Sequence, residues 1–185
     1  MRVTETLFRT ALNNTARQLL MLAGCLILLA SSTPAAAQTT TETYPKITGY
    51  VGIVHPLATF SSSGTTANFK NSYTAGLPTG INIWKTAKIG FSMEVVPFIR
   101  SENGISKMNN ILFHPGVLLP IGKGFTFVGR AAFETSGRYG FTPVLNKVVK
   151  KNHLGNLFVA VPAPFRFGNN SPATFALAFQ FGIGF

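Results

Sequence analysis

Aspartate is absent from this sequence of 185 residues, and acidic residues are rare, at 5 against 16 Lys and Arg. Only 11% of the residues are charged, less than half of the roughly 25% typical of a soluble domain. A single Cys excludes a disulfide scaffold and a metal site built from several thiolates. The low charge, combined with 46% hydrophobic residues, excludes a disordered tail and a coiled coil. The composition therefore predicts a folded chain with little water-compatible surface.

The first 37 residues have the pattern of an export signal. Three Arg precede an apolar run at 19–30, and Ala35-Ala36-Ala37 follows it. A basic start, a short apolar run and an A-x-A site are typical of a secretory signal peptide. The run is shorter than the about 20 residues that a membrane-spanning helix needs. We therefore predict a signal peptide over 1–37, cleavage after Ala37 and a mature domain over 38–185.

A competing processing site lies inside the apolar run. The segment Leu22-Ala23-Gly24-Cys25 resembles a bacterial lipobox, in which the Cys is acylated and becomes the first mature residue. Apolar residues continue through Leu29, whereas a lipoprotein normally turns polar after its Cys to form a tether. Cleavage after Ala37 is therefore favoured over lipidation of Cys25.

The mature chain alternates between large apolar residues and small or polar ones, a pattern that predicts β-strands. In the last segment one face carries Phe175, Leu177, Phe179, Phe181, Ile183 and Phe185. The same pattern predicts eight strands, at 45–57, 73–84, 87–100, 109–120, 124–135, 138–147, 153–162 and 173–185. Most of them reach the about 9–11 residues of a tilted membrane strand.

The predicted connections differ in length. Long ones at 59–72, 101–108 and 163–172 contrast with short turns such as the one at 122–124. Long loops at one end and short turns at the other are typical of an outer-membrane barrel. Proline lacks the N–H that a strand ladder uses, so bulges or shorter strands are expected at four proline positions. These are Pro78, Pro97, Pro115 and Pro143.

The export signal, the alternating strands and the terminal Phe185 together carry a resemblance. Over 45–185 the chain resembles the small eight-stranded outer-membrane β-barrels of Gram-negative bacteria, the OmpA/OmpX-like class. The resemblance implies an all-β, closed antiparallel transmembrane barrel in the outer membrane, with outer-membrane lipids as its surroundings. It also implies that the outer-membrane insertion machinery reads a C-terminal signal, formed by Phe179, Phe181, Ile183 and Phe185.

Three charged or titratable residues, Glu94, His114 and Arg130, are predicted to face the interior in mid-strand. A hairpin centred near residue 122 would put His114 opposite Arg130, and one centred near 105 would bring Glu94 close. A narrow lumen filled by side chains must pair any charge it contains. The sequence therefore predicts an ionic cluster with a structural role, and no catalytic residue is assigned.

The remaining charges are predicted at the strand ends. Five basic residues are expected in or near outer loops: Lys70, Arg100, Lys107, Arg138 and Arg166. Seven are expected at the periplasmic end: Lys46, Lys85, Lys88, Lys123, Lys147, Lys150 and Lys151. Trp84, Tyr73 and Tyr139 are candidate anchors at the membrane interfaces. His55 and His153 are interpreted as strand-end residues.

Several site classes have no support in the sequence. No H-x-H or C-x-x-C spacing indicates a metal, and the Gly-x-Gly segments precede no helix that could bind phosphate, so no cofactor is expected. Nucleic acid is not expected as a partner, because the basic residues gather at strand ends and export removes the chain from it.

Three functions remain open. The preferred one is a non-enzymatic outer-membrane barrel with a structural, adhesive or surface-binding role carried by its outer loops, for an external ligand that the sequence leaves unknown. The second is a lipid-modifying outer-membrane enzyme that uses His55, near Ser61–Ser63, or His114. The third is a soluble periplasmic barrel or sandwich that binds an apolar ligand inside.

Overall fold

The structure, a computed structural model, describes residues 43–153 and 155–185. Within those limits it consists of β-strands and turns, and no helical segment has the length and apolar character needed to cross a membrane. The eleven strands are β1 (Lys46–Ser61), β2 (Gly64–Ala67), β3 (Ser72–Gly76), β4 (Thr79–Trp84), β5 (Gly90–Glu102), β6 (Ile105–Gly122), β7 (Phe125–Glu134), β8 (Tyr139–Asn152), β9 (Gly155–Pro162), β10 (Phe165–Phe167) and β11 (Thr174–Gly184). The predicted signal peptide, its cleavage site and Cys25 lie outside the described residues.

The strands form a closed antiparallel ring of eight positions. Sequential neighbours pair with one another, and β11 pairs back onto β1, so the sheet has no first or last strand. Two positions are each shared by two short strands, β3 with β4 and β9 with β10, and β2 folds back on the end of β1 as a short hairpin. The predictions of an all-β fold and of eight strand positions are therefore confirmed, although the described residues form eleven separate strands.

Two predicted connections are strand instead. The segment 101–108 belongs to a long β5–β6 hairpin, whose tight turn is formed by Asn103 and Gly104, both with positive φ. The segment 148–152, between the predicted strands 138–147 and 153–162, continues β8, which pairs with β9 up to Asn152. Alternation of apolar and polar residues is weak in both segments, because polar residues outnumber apolar ones in each of them.

The strand prolines lie at irregularities, with one exception. Pro78 lies in the gap between β3 and β4, and Pro97 lies beside a register shift in the β5–β6 ladder. Pro115 occupies a gap in the β6–β7 ladder. Pro143 remains paired within β8, opposite Gly129. A residue without an N–H is tolerated where the ladder needs no donor.

The ring interior is layered. Beside the end at which β1 begins and β11 ends lies an apolar cluster of Leu118, Val128, Val144 and Ala160, against which Trp84 packs. Towards the opposite end lies a second apolar cluster of Val54, Val96, Leu112, Ala132 and Ala178. Polar residues separate the two clusters. We refer to the two ends as the terminal end and the far end.

One seam of the ring is closed by a side chain instead of a strand. β1 pairs with β3 through a single residue pair, Val54 and Gly76. Beyond it, the Asn68 amide Nδ2 donates to the Thr74 carbonyl at 2.8 Å, and the Thr74 N–H donates to Asn68 Oδ1 at 2.8 Å. The amide group of Asn68 thus supplies the donor and the acceptor that a neighbouring strand would offer.

Candidate functional site

The polar layer of the ring contains all three residues of the predicted ionic cluster. Glu94 on β5 lies directly opposite His114 on β6. Arg130 on β7 lies opposite Gly116, so the predicted pairing of His114 with Arg130 is wrong by one inward-facing position. The error is small because the β6–β7 turn is centred on Lys123, one residue later than expected.

Glu94 is the centre of this layer. Its Oε1 forms an ion pair with Arg130 Nη1 and contacts His114 Nδ1 at 2.9 Å. Its Oε2 accepts a hydrogen bond of 2.8 Å from the Tyr50 hydroxyl. Arg130 Nη2 in turn donates to the Tyr50 oxygen at 3.0 Å and to Ser92 Oγ at 3.2 Å. We call Tyr50, Glu94, His114 and Arg130 the ionic layer.

The ionic layer is well shielded from solvent. Glu94 is 3% exposed, His114 4% and Arg130 8%. Removing a charge from water is costly, and a buried ion persists only when opposite charge and hydrogen bonds compensate it. Both carboxylate oxygens of Glu94 have partners, which meets that condition and fixes the positions of four strands relative to one another.

A chain of contacts links the layer to the far end. His114 Nε2 lies 2.9 Å from Thr142 Oγ1, which accepts a hydrogen bond of 3.0 Å from Arg166 Nη1. Arg166 Nε donates to Glu134 Oε1 at 2.8 Å. Arg166, predicted in an outer loop, is instead buried on β10. Pro162 and Pro164 obscure the alternation before this strand, which hid the inward direction of Arg166.

Tyr50, Ser92 and Thr142 belong to this network but were not among the predicted site residues. Tyr50 shares a strand face with Thr48 and Gly52, the polar face of its strand, so its parity already indicated an inward position. Among the residues that the structure describes, no group of three or more His, Cys, Asp and Glu could hold a metal ion.

His55 lies in the middle of β1, not at a strand end as predicted, whereas His153 does follow the end of β8. The His55 ring is half-buried on the outer face, where Nδ1 lies 2.7 Å from the Tyr73 hydroxyl. Ser61 Oγ, its suggested partner, contacts Ser63 Oγ at 2.8 Å instead. The arrangement is that of an aromatic cluster, since the His55 ring also stacks on Phe181 at 6.0 Å.

The aromatic residues predicted as interface anchors divide between the two faces. Trp84 points inward, where its Nε1 donates to Thr48 Oγ1 at 3.3 Å, so its assignment as an anchor is wrong. Tyr139 is 56% exposed and Tyr73 is half-buried, both on the outer face. Beside Tyr139, a row of contacting rings crosses the outer face: Phe60, Phe175, Phe165, Phe141 and Phe167.

The residues of the predicted insertion signal share the outer face of β11. Phe181 is 42% exposed, Ile183 45% and Phe185 66%, while Phe179 is half-buried. Their direction is that predicted from the alternation. Their recognition by an insertion machinery stays a prediction.

The lysines are distributed unevenly between the two ends. Turns and strand ends at the terminal end carry Lys46, Lys85, Lys88, Lys123, Lys150 and Lys151, all exposed. Lys147, also expected at this end, is buried, and its Nζ lies 4.4 Å from the centre of the Phe125 ring. At the far end, Arg100 pairs with Glu102 at 3.2 Å, and Arg166 pairs with Glu134. Positive charge is therefore concentrated at the terminal end.

Comparisons with known proteins add little. No family model matches the chain, and no curated protein matches it. One solved structure, titled "De novo design of transmembrane beta-barrels", is similar with a TM-score of 0.38 at 11% identity, covering 77% of this chain and 99% of that chain. A likeness this weak carries no argument, and the architecture stands on the strand pairings alone.

Proposed function

We propose that the mature chain is an integral outer-membrane β-barrel protein without enzymatic activity. Its structural, adhesive or surface-binding role would be carried by the far-end segments 59–72, 101–108 and 163–172. One observation carries the proposal: the ring has an apolar exterior and a polar, charged interior layer.

The exterior is apolar in the middle of the strands. Val95 is 42% exposed, Phe113 49% and Leu145 43%, whereas the interior positions Glu94 and Arg130 are almost fully buried. Soluble monomers rarely expose apolar patches of more than a few hundred Å². In a bilayer the same surface is solvated by lipid, and a closed ring leaves no strand edge unpaired.

The far-end segments support a surface-binding role. They carry large apolar side chains that no core covers: Phe69 is 63% exposed, Ile105 62% and Met108 63%. The β5–β6 hairpin continues beyond the last β6–β7 pair, Leu112 with Glu134, as an extension along which β3 pairs with β5 as far as Glu102. Exposed apolar residues on such a projection are a surface that a partner can bury.

Fractionation of cells tests the membrane assignment. The mature chain should sediment with outer membranes, resist extraction by salt and be released by detergent. Recovery in the soluble periplasmic fraction without detergent would contradict the proposal and favour a soluble barrel.

A pair of matched variants tests the apolar exterior. Val95→Arg puts a charge on the outer face near the middle of β5, which costs about 2–4 kcal/mol if that face contacts the bilayer midplane. Ile105→Arg changes an even more exposed residue beside the hairpin turn and should be nearly neutral. Denaturant titration of the folded chain in vesicles measures both. If Val95→Arg is as stable as Ile105→Arg, the exterior does not face lipid.

A second candidate function, a hydrolase or acyltransferase acting on lipid, is favoured by one specific contact. His114 lies between Glu94 and Thr142, an order of acid, base and hydroxyl that activates a nucleophile in other folds. Thr142 lines a far-end cavity of about 250 Å³. Two observations disfavour an enzyme with Thr142 as its nucleophile. Arg166 donates a hydrogen bond to the Thr142 hydroxyl, and Thr142 is only 1% exposed.

Turnover separates the two candidates. The purified barrel is incubated with ester-linked phospholipid and the release of fatty acid is measured. Turnover that is lost in Thr142→Val and in His114→Gln would support the enzyme. No turnover by the unaltered chain would remove it.

A further inference from the structure

The interior holds a cavity at the terminal end that the proposed function does not use. Its volume is about 450 Å³, within the range of about 300–1,000 Å³ for ligand pockets. Tyr50 and Arg130 line it on the side of the ionic layer, and Lys46, Lys151 and Gly184 line it at the strand ends. The ionic layer therefore closes the cavity on one side, and its mouth lies at the terminal end.

The wall of this cavity changes character with depth. Beside the ionic layer it is apolar, formed by Leu118, Val128, Val144 and Ala160, against which the Trp84 ring packs. One or two inward positions closer to the mouth it carries hydroxyl and amide groups: Thr48, Thr126, Asn146 and Asn156. At the mouth its lining includes the basic residues Lys46 and Lys151. An apolar depth and a cationic mouth complement a molecule with a tail and an anionic head.

The charge around the mouth strengthens this complementarity. Lys85, Lys88, Lys123 and Lys150 also belong to the terminal end. The acidic side chains of the described ranges 43–153 and 155–185 are Glu94, Glu102 and Glu134, and each is bound in the ionic layer or at the far end. Clustered charge of one sign at the mouth of a low-dielectric cleft attracts a ligand of opposite sign.

We propose that this cavity is a binding site for a single-chain anionic amphiphile, which enters tail first and leaves its head among the lysines at the mouth. A fatty-acid carboxylate and a lysophospholipid phosphodiester share this chemistry. The site goes beyond the proposed function, because it lies at the opposite end from the surface-binding segments and needs only the closed ring.

The chain contains its own reporter, since Trp84 is its single Trp, lines the cavity and packs against its apolar wall. The full mature chain is refolded into zwitterionic lipid nanodiscs, or kept in buffer if it proves soluble, and titrated with brominated probes. A fatty acid brominated at the tail should quench Trp84 fluorescence saturably. Its isomer brominated beside the carboxylate should quench less, because its bromines stay at the mouth.

Two further probes identify the head group. A tail-brominated alcohol lacks the charge and should bind at least about fivefold more weakly than the acid, the contribution of roughly one lysine contact. A tail-brominated lysophosphatidylglycerol carries a phosphodiester instead of a carboxylate. Tighter binding of either the fatty acid or the lysophosphatidylglycerol than of the alcohol supports the proposal, and the tighter of the two identifies the preferred head group. Equal quenching by the alcohol overturns the proposal.

Matched glycine variants separate the cavity from the surrounding lipid. A Cβ at Gly184 would meet its nearest neighbour at 3.7 Å, so Gly184→Phe fits and puts a ring in the mouth. A Cβ at Gly129, on the outer face, would meet its nearest neighbour at 3.8 Å, so Gly129→Phe is the control. Saturable quenching should disappear in the first variant and persist in the second. Equal quenching in both would show that the probe acts from the bilayer and would overturn the proposal.

Lysine variants give a second test with little effect on folding. Lys151→Gln at the mouth should weaken binding of the acid about fivefold and leave binding of the alcohol unchanged. Lys107→Gln, an exposed lysine at the far end, should leave both unchanged. An equal effect of the two substitutions would overturn the assignment of the mouth.

Discussion

Phe185 and Gly49 exchange two main-chain hydrogen bonds, of 2.8 and 2.9 Å, and so join the last residue of the chain to its first strand. The Phe185 ring also lies over Gly49, where a Cβ would come within 2.5 Å of Phe185 Cε2. The terminal residue therefore closes the ring with its backbone as well as presenting an aromatic side chain outside it.

Deleting Phe185 should separate stability from assembly. The deletion removes a side chain worth at most about 1.5–3 kcal/mol and two hydrogen bonds worth about 0.5–1.5 kcal/mol each, at a strand end that is already exposed. We expect the truncated chain to refold in detergent micelles nearly as well as the full chain, yet to accumulate poorly in the outer membrane of cells. Equal accumulation of the two forms would contradict a role of Phe185 as a sorting signal.

Gly49→Val is the matched variant for that experiment. It retains Phe185 but displaces its ring, because the new side chain occupies the space of the ring. If the insertion machinery reads the aromatic residue in the unfolded chain, Gly49→Val should be delivered normally and show its defect only in folded stability. Accumulation in the membrane, measured beside refolding in micelles, distinguishes the two effects.

Glu94→Ala should leave Arg130 buried without its counter-charge. We expect a loss of roughly 3–5 kcal/mol of unfolding free energy, and a partial recovery when Arg130→Ala is added. Glu102→Ala is the control, since it breaks an ion pair with Arg100 whose side chains are 45% and 48% exposed, worth about 1 kcal/mol or less. If the double mutant loses as much unfolding free energy as the two single mutants lose together, Glu94 and Arg130 do not interact.

Asn68→Ala should open the seam between β1 and β3. The Thr74 N–H and C=O would lose the partners that the amide group supplies, at a cost of about 1–3 kcal/mol if water does not replace them. Hydrogen exchange of the Thr74 amide should accelerate, while Asn71→Ala, an exposed change in the same connection, should leave it unchanged. Unaltered exchange in Asn68→Ala would exclude this role of the side chain.

Intact mass tests the maturation of the chain. Cleavage after Ala37 gives a protein that starts at Gln38, with or without cyclisation of that glutamine. A diacylated chain that starts at Cys25 would instead establish the lipobox interpretation.

Most of the correct predictions rest on the alternation of apolar and polar residues along the strands. Strand residues point alternately to opposite faces, so the parity of Glu94, His114 and Arg130 alone indicates their inward direction. The failures occurred where residue type was given more weight than parity. Trp84 is predicted at the interface because it is a Trp, although it alternates with inward-facing Asn82.

Other features have no local pattern in the sequence. Arg166 follows two prolines that interrupt the alternation, and the role of Asn68 depends on Thr74, six residues away across a turn. The one-position error between His114 and Arg130 came from the centre of a tight turn. Pairing register depends on where each turn is placed, and alternation alone does not fix that point.

The ionic layer has a consequence for permeability. It is packed between two apolar clusters, and a cavity lies on either side of it, with Arg130 in the lining of both. A file of water or ions crossing the ring would have to displace the partners of Glu94 and leave its charge unpaired. A bilayer that contains many copies of the ring should therefore carry no added ionic current under an applied voltage. Solutes on one side of such a bilayer should not pass through the centre of the ring.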